Sequence, residues 1–171
     1  LALKDVAAPE KLTQLATLLA FQIGHEVSLG ELSRSLGIDV KTVARYIGLL
    51  KESFVVFELS AWSRNRRNEV AKSKKYYFWD VGIRNALTDQ FQPLESRADV
   101  GQLWENFLAV ERMKRHEYGA TGTSCYFWRT YEQAEVDWIE ATEGALAAYE
   151  FKWREGRTRT PKAFLDAYGV E

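Results

Sequence analysis

Apolar residues recur at helical spacing early in the chain, where Leu12, Leu15, Leu18, Leu19 and Ile23 share one side of a 3.6-residue turn. A clearer helical pair follows. Ser28-Leu29-Gly30-Glu31 sets a hydroxyl at the N-cap with a glutamate three residues on. Leu32 and Leu36 lie one turn apart, Gly37 closes the segment and Asp39 caps the next. That next helix is expected to turn Val40, Val43, Ile47 and Leu50 inward, and Lys41, Thr42, Arg45 and Tyr46 outward. Two β-rich runs, 54–59 and 75–79, then flank a basic stretch at 63–68, so the first part reads as a winged helix-turn-helix over residues 1–88. A short helix or turn through 80–87 leads into a polar connector containing Pro93, and the domain boundary is expected between 88 and 97.

The second domain, 98–171, opens with a helix capped by Asp99, with Gln102 at N3. Val100, Leu103, Trp104, Phe107, Leu108 and Val110 are expected inward, and Glu105 at the margin of the apolar stripe. Three β-rich segments follow at 125–128, 136–139 and 146–153, the last two joined by a tight turn at Thr142-Glu143-Gly144. A helix over 161–168 completes a helix, three strands, helix order, which is an α/β layer pattern. No internal repeat and no glycine-rich phosphate loop interrupts it.

Composition narrows the class. A chain of 171 residues with 46% apolar and 13% aromatic residues has the material for a real core. The formal charge of −1 supplies no global field, so electrostatic partners must be read from local clusters. The single Cys125 excludes an internal disulfide framework and fits a reducing compartment, so the expected location is cytoplasmic. Two scattered histidines cannot complete a zinc site, and the sequence holds neither a membrane-length apolar run nor a signal-like start. The first residue is not methionine, and the reading is that of a piece of a longer protein.

The pattern richest in chemistry is Glu135-Val136-Asp137 facing Glu150-Phe151-Lys152 across the expected hairpin. Strand periodicity projects Glu150 and Lys152 to one side, and the neighbouring strand can set Asp137 beside them. Two carboxylates and a lysine so placed suit a Mg²⁺ or Mn²⁺ site for phosphodiester hydrolysis. Asp137 and Glu150 would be metal ligands, the Phe151 carbonyl a third, Glu105 would complete or position the shell, and Lys152 would orient the attacking water. The bland alternative is an edge hairpin wearing ordinary surface charges.

Basic residues supply the rest. The helix-turn-helix presents Lys41, Thr42, Arg45 and Tyr46, residue types that reach phosphates and base edges from a major-groove helix, although such modules also dock proteins. Between Trp62 and Lys75, Arg64, Arg66, Arg67, Lys72, Lys74 and Lys75 face one acid, Glu69, which makes this the best phosphate-facing segment of the first half. Arg154, Arg157, Arg159 and Lys162 form a second basic run, either tracking a backbone or solvated as a loop. Most tryptophans are expected in cores or interfaces, and His25 and His116 are given no role.

The stretch Lys72-Ser73-Lys74-Lys75-Tyr76-Tyr77-Phe78-Trp79-Asp80-Val81-Gly82 resembles a K-x-x-K-x-Y-F-x-D-x-G signature, and Gly101 to Val110 resembles G-x-x-x-E-x-F. With Trp128-Arg129, Glu135-Val136-Asp137, Glu150-Phe151-Lys152 and the helix-turn-helix of Ser28 to Leu50, nearly the whole chain resembles the C-terminal region of bacterial and archaeal AAA-type ATPases. Their tail is a domain of unknown function numbered 4143. The resemblance implies a preceding P-loop ATPase domain that would bind ATP outside this chain. It further implies a winged helix and then a restriction-endonuclease-like PD-(D/E)xK domain, truncated at its C-terminus. Carried over, the nuclease-like positions are Glu105, Asp137, Glu150 and Lys152, with Arg129 in support. Ser73 departs from a frequent proline.

The expectation is therefore a nucleic-acid-associated module of an ATPase with a metal-dependent nuclease-like site, hence a Mg-dependent endonuclease. DNA and its own ATPase domain are the expected partners, with a homo-oligomer or protein partner next and no membrane. The alternative is a catalytically inactive protein-interaction or DNA-binding regulatory module of the same ATPase.

Overall fold

The computed structural model describes residues 8–62, 74–130, 134–156 and 159–169. The described residues form a mixed α+β protein. The chain divides into two compact units, Leu1–Glu58 with Lys74–Arg97, and Leu59–Ser73 with Ala98–Glu171.

In the first unit, helix α1 (Pro9–Phe21) buries Leu15, Ala16, Leu19 and Ala20, and strand β1 (Glu26–Val27) follows. Helix α2 (Leu29–Leu36) starts where the Ser28 hydroxyl accepts the Glu31 N–H at 3.4 Å, and it ends at Gly37, whose φ of 66° a side chain would strain. Helix α3 (Val40–Glu52) starts at Asp39, which accepts both the N–H and the hydroxyl of Thr42, at 2.9 and 2.6 Å. Strand β2 (Val56–Ala61) passes from the first unit to the second between Glu58 and Leu59. Strand β3 (Lys74–Phe78) pairs antiparallel with β1, and the order within this unit is β1-β3-β2. Helix α4 (Val81–Thr88) is capped by Asp80. From its buried side Arg84 Nε donates to the Ala20 carbonyl at 3.0 Å, which ties α4 to the end of α1.

In the second unit, helix α5 (Val100–Gly119) precedes strands β4 (Ser124–Arg129), β5 (Glu135–Thr142) and β6 (Ala145–Tyr149), and helix α6 (Lys162–Tyr168) follows. The second half of β2 pairs parallel with β4, while β4 with β5 and β5 with β6 pair antiparallel. Glu143-Gly144 closes the β5–β6 hairpin, and the φ of 83° at Gly144 is the reason glycine stands there. The core of this unit gathers Trp128, Val136, Ile139 and Phe164, so α6 is held through one fully buried ring.

Several expectations need correction. Val40 is 45% exposed rather than inward, and Tyr46 is buried rather than outward, because α3 is rotated so that Val43, Tyr46, Ile47 and Leu50 form the core stripe. On α5 the buried positions are Leu103, Asn106, Ala109 and Val110, which leaves Phe107 exposed. Asp99 occupies the N-cap position of α5 without a side-chain cap bond. The third strand of the hairpin region ends at Tyr149, not at Trp153. Among the described residues, no helix is long and apolar enough to cross a membrane.

Candidate functional site

The β5–β6 register pairs Trp138 with Tyr149, so the next position of each strand sets Asp137 opposite Glu150. Here the ladder stops. Asp137 Oδ2 accepts the N–H of Phe151 at 2.8 Å, so a side-chain oxygen takes a donor that a continuing strand would direct to a backbone carbonyl. The chain therefore leaves β6 with Glu150 and Lys152 still on one side. Lys152 Nζ lies 2.9 Å from Glu150 Oε2 and 4.0 Å from Asp137 Oδ2.

The two carboxylates are sheltered, at 14% exposure for Asp137 and 18% for Glu150, whereas Lys152 is half exposed. Burial pushes the Glu150 carboxyl up from its ordinary range, and the adjacent Asp137 carboxylate pushes it the same way, against the pull of Lys152. The Lys152 ammonium is raised chiefly by its hydrogen bond to Glu150, with Asp137, Glu150 and Glu105 adding to its charge stabilisation. Glu105, on α5, thus enters the same electrostatic neighbourhood. Among the described residues no group of three or more acids, histidines or cysteines has the spacing to hold a metal, so Glu105 is not assembled with Asp137 and Glu150 into a three-ligand shell.

What remains is two sheltered carboxylates facing one ammonium, an excess of one negative charge in a partly dry place. That donor set fits Mg²⁺ or Mn²⁺, which binds through one or two carboxylates and keeps several waters. Asp137 and Glu150 are the residues that would hold the ion.

Other expected site residues disperse. Lys41 and Arg45 are exposed on α3, whereas the Thr42 hydroxyl is taken by Asp39 and the buried Tyr46 ring lies 5.3 Å beneath the Arg45 guanidinium. Lys74 is committed to Glu58 at 2.6 Å and Lys75 is buried, so neither faces phosphate. Arg64, Arg66, Arg67, Lys72 and Arg157 lie outside the described residues. Arg129 sits 3.9 Å from Glu135 on the adjoining strand, and Arg154 is exposed beyond Lys152. A cleft of about 620 Å³, lined by Trp62, Leu146 and Tyr168, opens at the turn end of the hairpin, away from Asp137.

Sequence reasoning missed a second polar cluster. Glu140 on β5 receives Arg112 from α5 in a two-pronged pair, one prong at 2.7 Å, with His116 Nε2 at 2.7 Å and the Trp138 indole N–H at 3.1 Å. Burial would raise the Glu140 carboxyl, but these donors hold it down at about 2. The Arg112 guanidinium also stacks 3.7 Å over the Tyr149 ring. Cys125, paired with Glu140 in register, has its thiol pushed up to about 12, first by burial and then by that carboxylate. The available signal was the i, i+4 spacing of Arg112 and His116, which puts both on one face of a helix.

Comparison with known proteins gives two family matches. Residues 1–94 match the family described as domain of unknown function (DUF8612), and residues 100–170 match domain of unknown function (DUF4143). An uncharacterized protein of Mycobacterium tuberculosis and one of Mycobacterium bovis are each 32% identical to this chain over 147 residues, 85% of its length. The chain spans 32% of the length of these relatives. No solved structure matches.

Proposed function

Because this chain belongs to the family described as domain of unknown function (DUF8612), with DUF4143 following it, we propose that it is the nucleic-acid-facing portion of an AAA-type ATPase, carrying a metal-dependent phosphodiesterase site at Asp137, Glu150 and Lys152. The observation that carries this reading is the placement of Lys152 against both carboxylates where the β6 ladder ends. In this reading Asp137 and Glu150 would hold Mg²⁺ or Mn²⁺, which would supply Lewis acidity at the phosphate and a more acidic water. Lys152 would present its charge where negative charge gathers on the phosphate oxygens. Glu105 steadies the Lys152 ammonium through space rather than binding the metal.

The first unit supports the reading through its element order. Helix, strand, two helices and two strands, with strand order β1-β3-β2, agrees with a winged helix, and Lys41 and Arg45 are exposed cations near the start of α3. In this proposal α3 contacts a DNA backbone through those two residues. The ATP-binding domain belongs to the remainder of the longer protein.

A second reading has its own observation. Lys152, 2.9 Å from Glu150, neutralises part of the carboxylate pair, a contact that an inactive scaffold would also keep. Mn²⁺-dependent cleavage of single-stranded and duplex DNA, compared between wild type, Asp137→Asn and Lys152→Ala, separates the two. Cleavage lost in both variants supports the phosphodiesterase. No cleavage by the wild type, with no Mn²⁺ bound, supports the scaffold.

A further inference from the structure

Beside the carboxylate–lysine cluster stands an aromatic group with no role in metal binding. Trp104 on α5 stacks on Phe107 with centroids 5.6 Å apart at 24°, and meets Trp153 edge-on at 5.5 Å and 70°. Phe107 is 45% exposed and Trp153 is 47% exposed, so two ring faces stand open around the half-buried Trp104. The Trp104 indole N–H is shielded from solvent and has no hydrogen-bond partner among the described residues, an uncommon condition for a tryptophan placed near the surface. Phe107 and Trp153 each pack on Trp104 and still leave nearly half of their surface open.

The position of the group is set by the same two segments that form the site. Trp104 and Glu105 are consecutive on α5, and Trp153 and Lys152 are consecutive after β6. Trp104 reaches Trp153, while Glu105 acts on Lys152. Ring platform and charge cluster are therefore neighbours, with the exposed Arg154 following Trp153. A ligand spanning both would carry a flat π-face at one end and a phosphate at the other.

We propose that Trp153 and Phe107 form a stacking platform for an unpaired nucleobase, so that the substrate class of the adjoining site is single-stranded or locally unpaired nucleic acid. This rests on the phosphodiesterase reading only for the identity of the neighbouring phosphate site. A duplex keeps its base faces covered, and an unstacked base can lie on an exposed indole and leave its phosphate toward Lys152. Sequence tolerance follows, because every base has a π-face.

The test measures binding in EDTA, without metal, by fluorescence anisotropy with the 171-residue chain. Labelled oligothymidylate is compared with an abasic strand of equal length and with a duplex. The expected result is that oligothymidylate binds about tenfold more tightly than the abasic strand, in line with the gain from stacking one base. Trp153→Ala should abolish that difference, Trp153→Phe should retain most of it, and Phe107→Ala should reduce it. Trp153→Phe should keep the wild-type unfolding temperature, and Trp153→Ala should remain folded with a lower one, since half of the ring packs on Trp104.

Equal affinity for the thymidylate and abasic strands, or no binding of either, overturns the proposal. A Trp153→Ala variant that leaves the difference intact overturns it as well. If Trp153→Ala instead lowers the molecular mass in solution and leaves oligonucleotide affinity unchanged, the platform serves a second copy of the chain and the proposal fails. A protein that stacks bases but never cleaves DNA would overturn the phosphodiesterase and leave the platform standing.

Discussion

Lys152 Nζ stands 2.9 Å from Glu150 Oε2 and 4.0 Å from Asp137 Oδ2, so a single ammonium faces two sheltered carboxylates and leaves one negative charge in excess. That imbalance is the driving force for binding a divalent cation. Adding Mn²⁺ at about a hundred times its Kd should stabilise the wild-type protein by about 2.7 kcal/mol. Asp137→Ala and Glu150→Ala should lose this stabilisation, as read by thermal unfolding across a Mn²⁺ series.

Glu150 offers a prediction with a pH sign. Its carboxyl is raised by burial and by Asp137, so the folded protein holds this proton more tightly than the unfolded chain does. The associated stability is present below the unfolded carboxyl pKa and is lost as pH rises through the raised folded value. Glu150→Gln should therefore unfold at a higher temperature than the wild type at pH 7 without metal, with the gap closing toward pH 4. A lower unfolding temperature at pH 7 would contradict the argument.

Glu140 behaves in the opposite sense. Its carboxyl is held at about 2, below the ordinary 4.5, by Arg112, His116 and Trp138 acting against burial. The stability this contributes is full above pH 4.5 and is lost as pH falls toward 2. Arg112→Met should cost about 3 kcal/mol at pH 7, because it strands a sheltered carboxylate, and the double variant Arg112→Met with Glu140→Gln should recover part of that. Urea unfolding at pH 7 and pH 3 gives both readings.

On α3, exposure separates two kinds of residue that the sequence grouped together. Lys41→Ala and Arg45→Ala should each lower the salt slope of DNA affinity by about one, with little effect on stability. Tyr46→Ala should cost about 3 kcal/mol of folding free energy instead, since its ring is fully buried. Salt-dependent binding and thermal unfolding of the three variants distinguish the roles.

Phe164 is the fully buried ring through which α6 packs on Trp128, Val136 and Ile139. Phe164→Ala should cost about 3 to 5 kcal/mol and release α6, read as faster amide exchange over 162–168.

The elements most legible in the sequence are those whose signals are local. Ser28, Gly37 and Asp39 punctuate α2 and α3 by their own hydrogen bonds and backbone angles, so boundaries there emerge within a residue. Gly144 marks the hairpin turn in the same way. The facing of α3 and α5 was less legible, because Val40 and Tyr46, or Phe107 and Asn106, can exchange inside and outside through a small rotation that only tertiary packing decides. The Asp137, Glu150 and Lys152 grouping was readable from period-two spacing. The end of β6 before Glu150 was not, since it depends on a side-chain acceptor in place of a backbone one. Arg112 and His116 share a helix face by their i, i+4 spacing, but Glu140 lies on a strand far along the chain and no local rule links it to them.

The bond from the Phe151 N–H to Asp137 Oδ2 gives that aspartate two separable duties, one ionic and one architectural. Asparagine has a carbonyl oxygen of the same reach and would preserve the bend while discarding the charge. Alanine would discard both. Among diverged copies of this chain, asparagine at 137 would mark a lineage that gave up the charge and kept the shape, whereas alanine would mark one in which the hairpin itself was rebuilt.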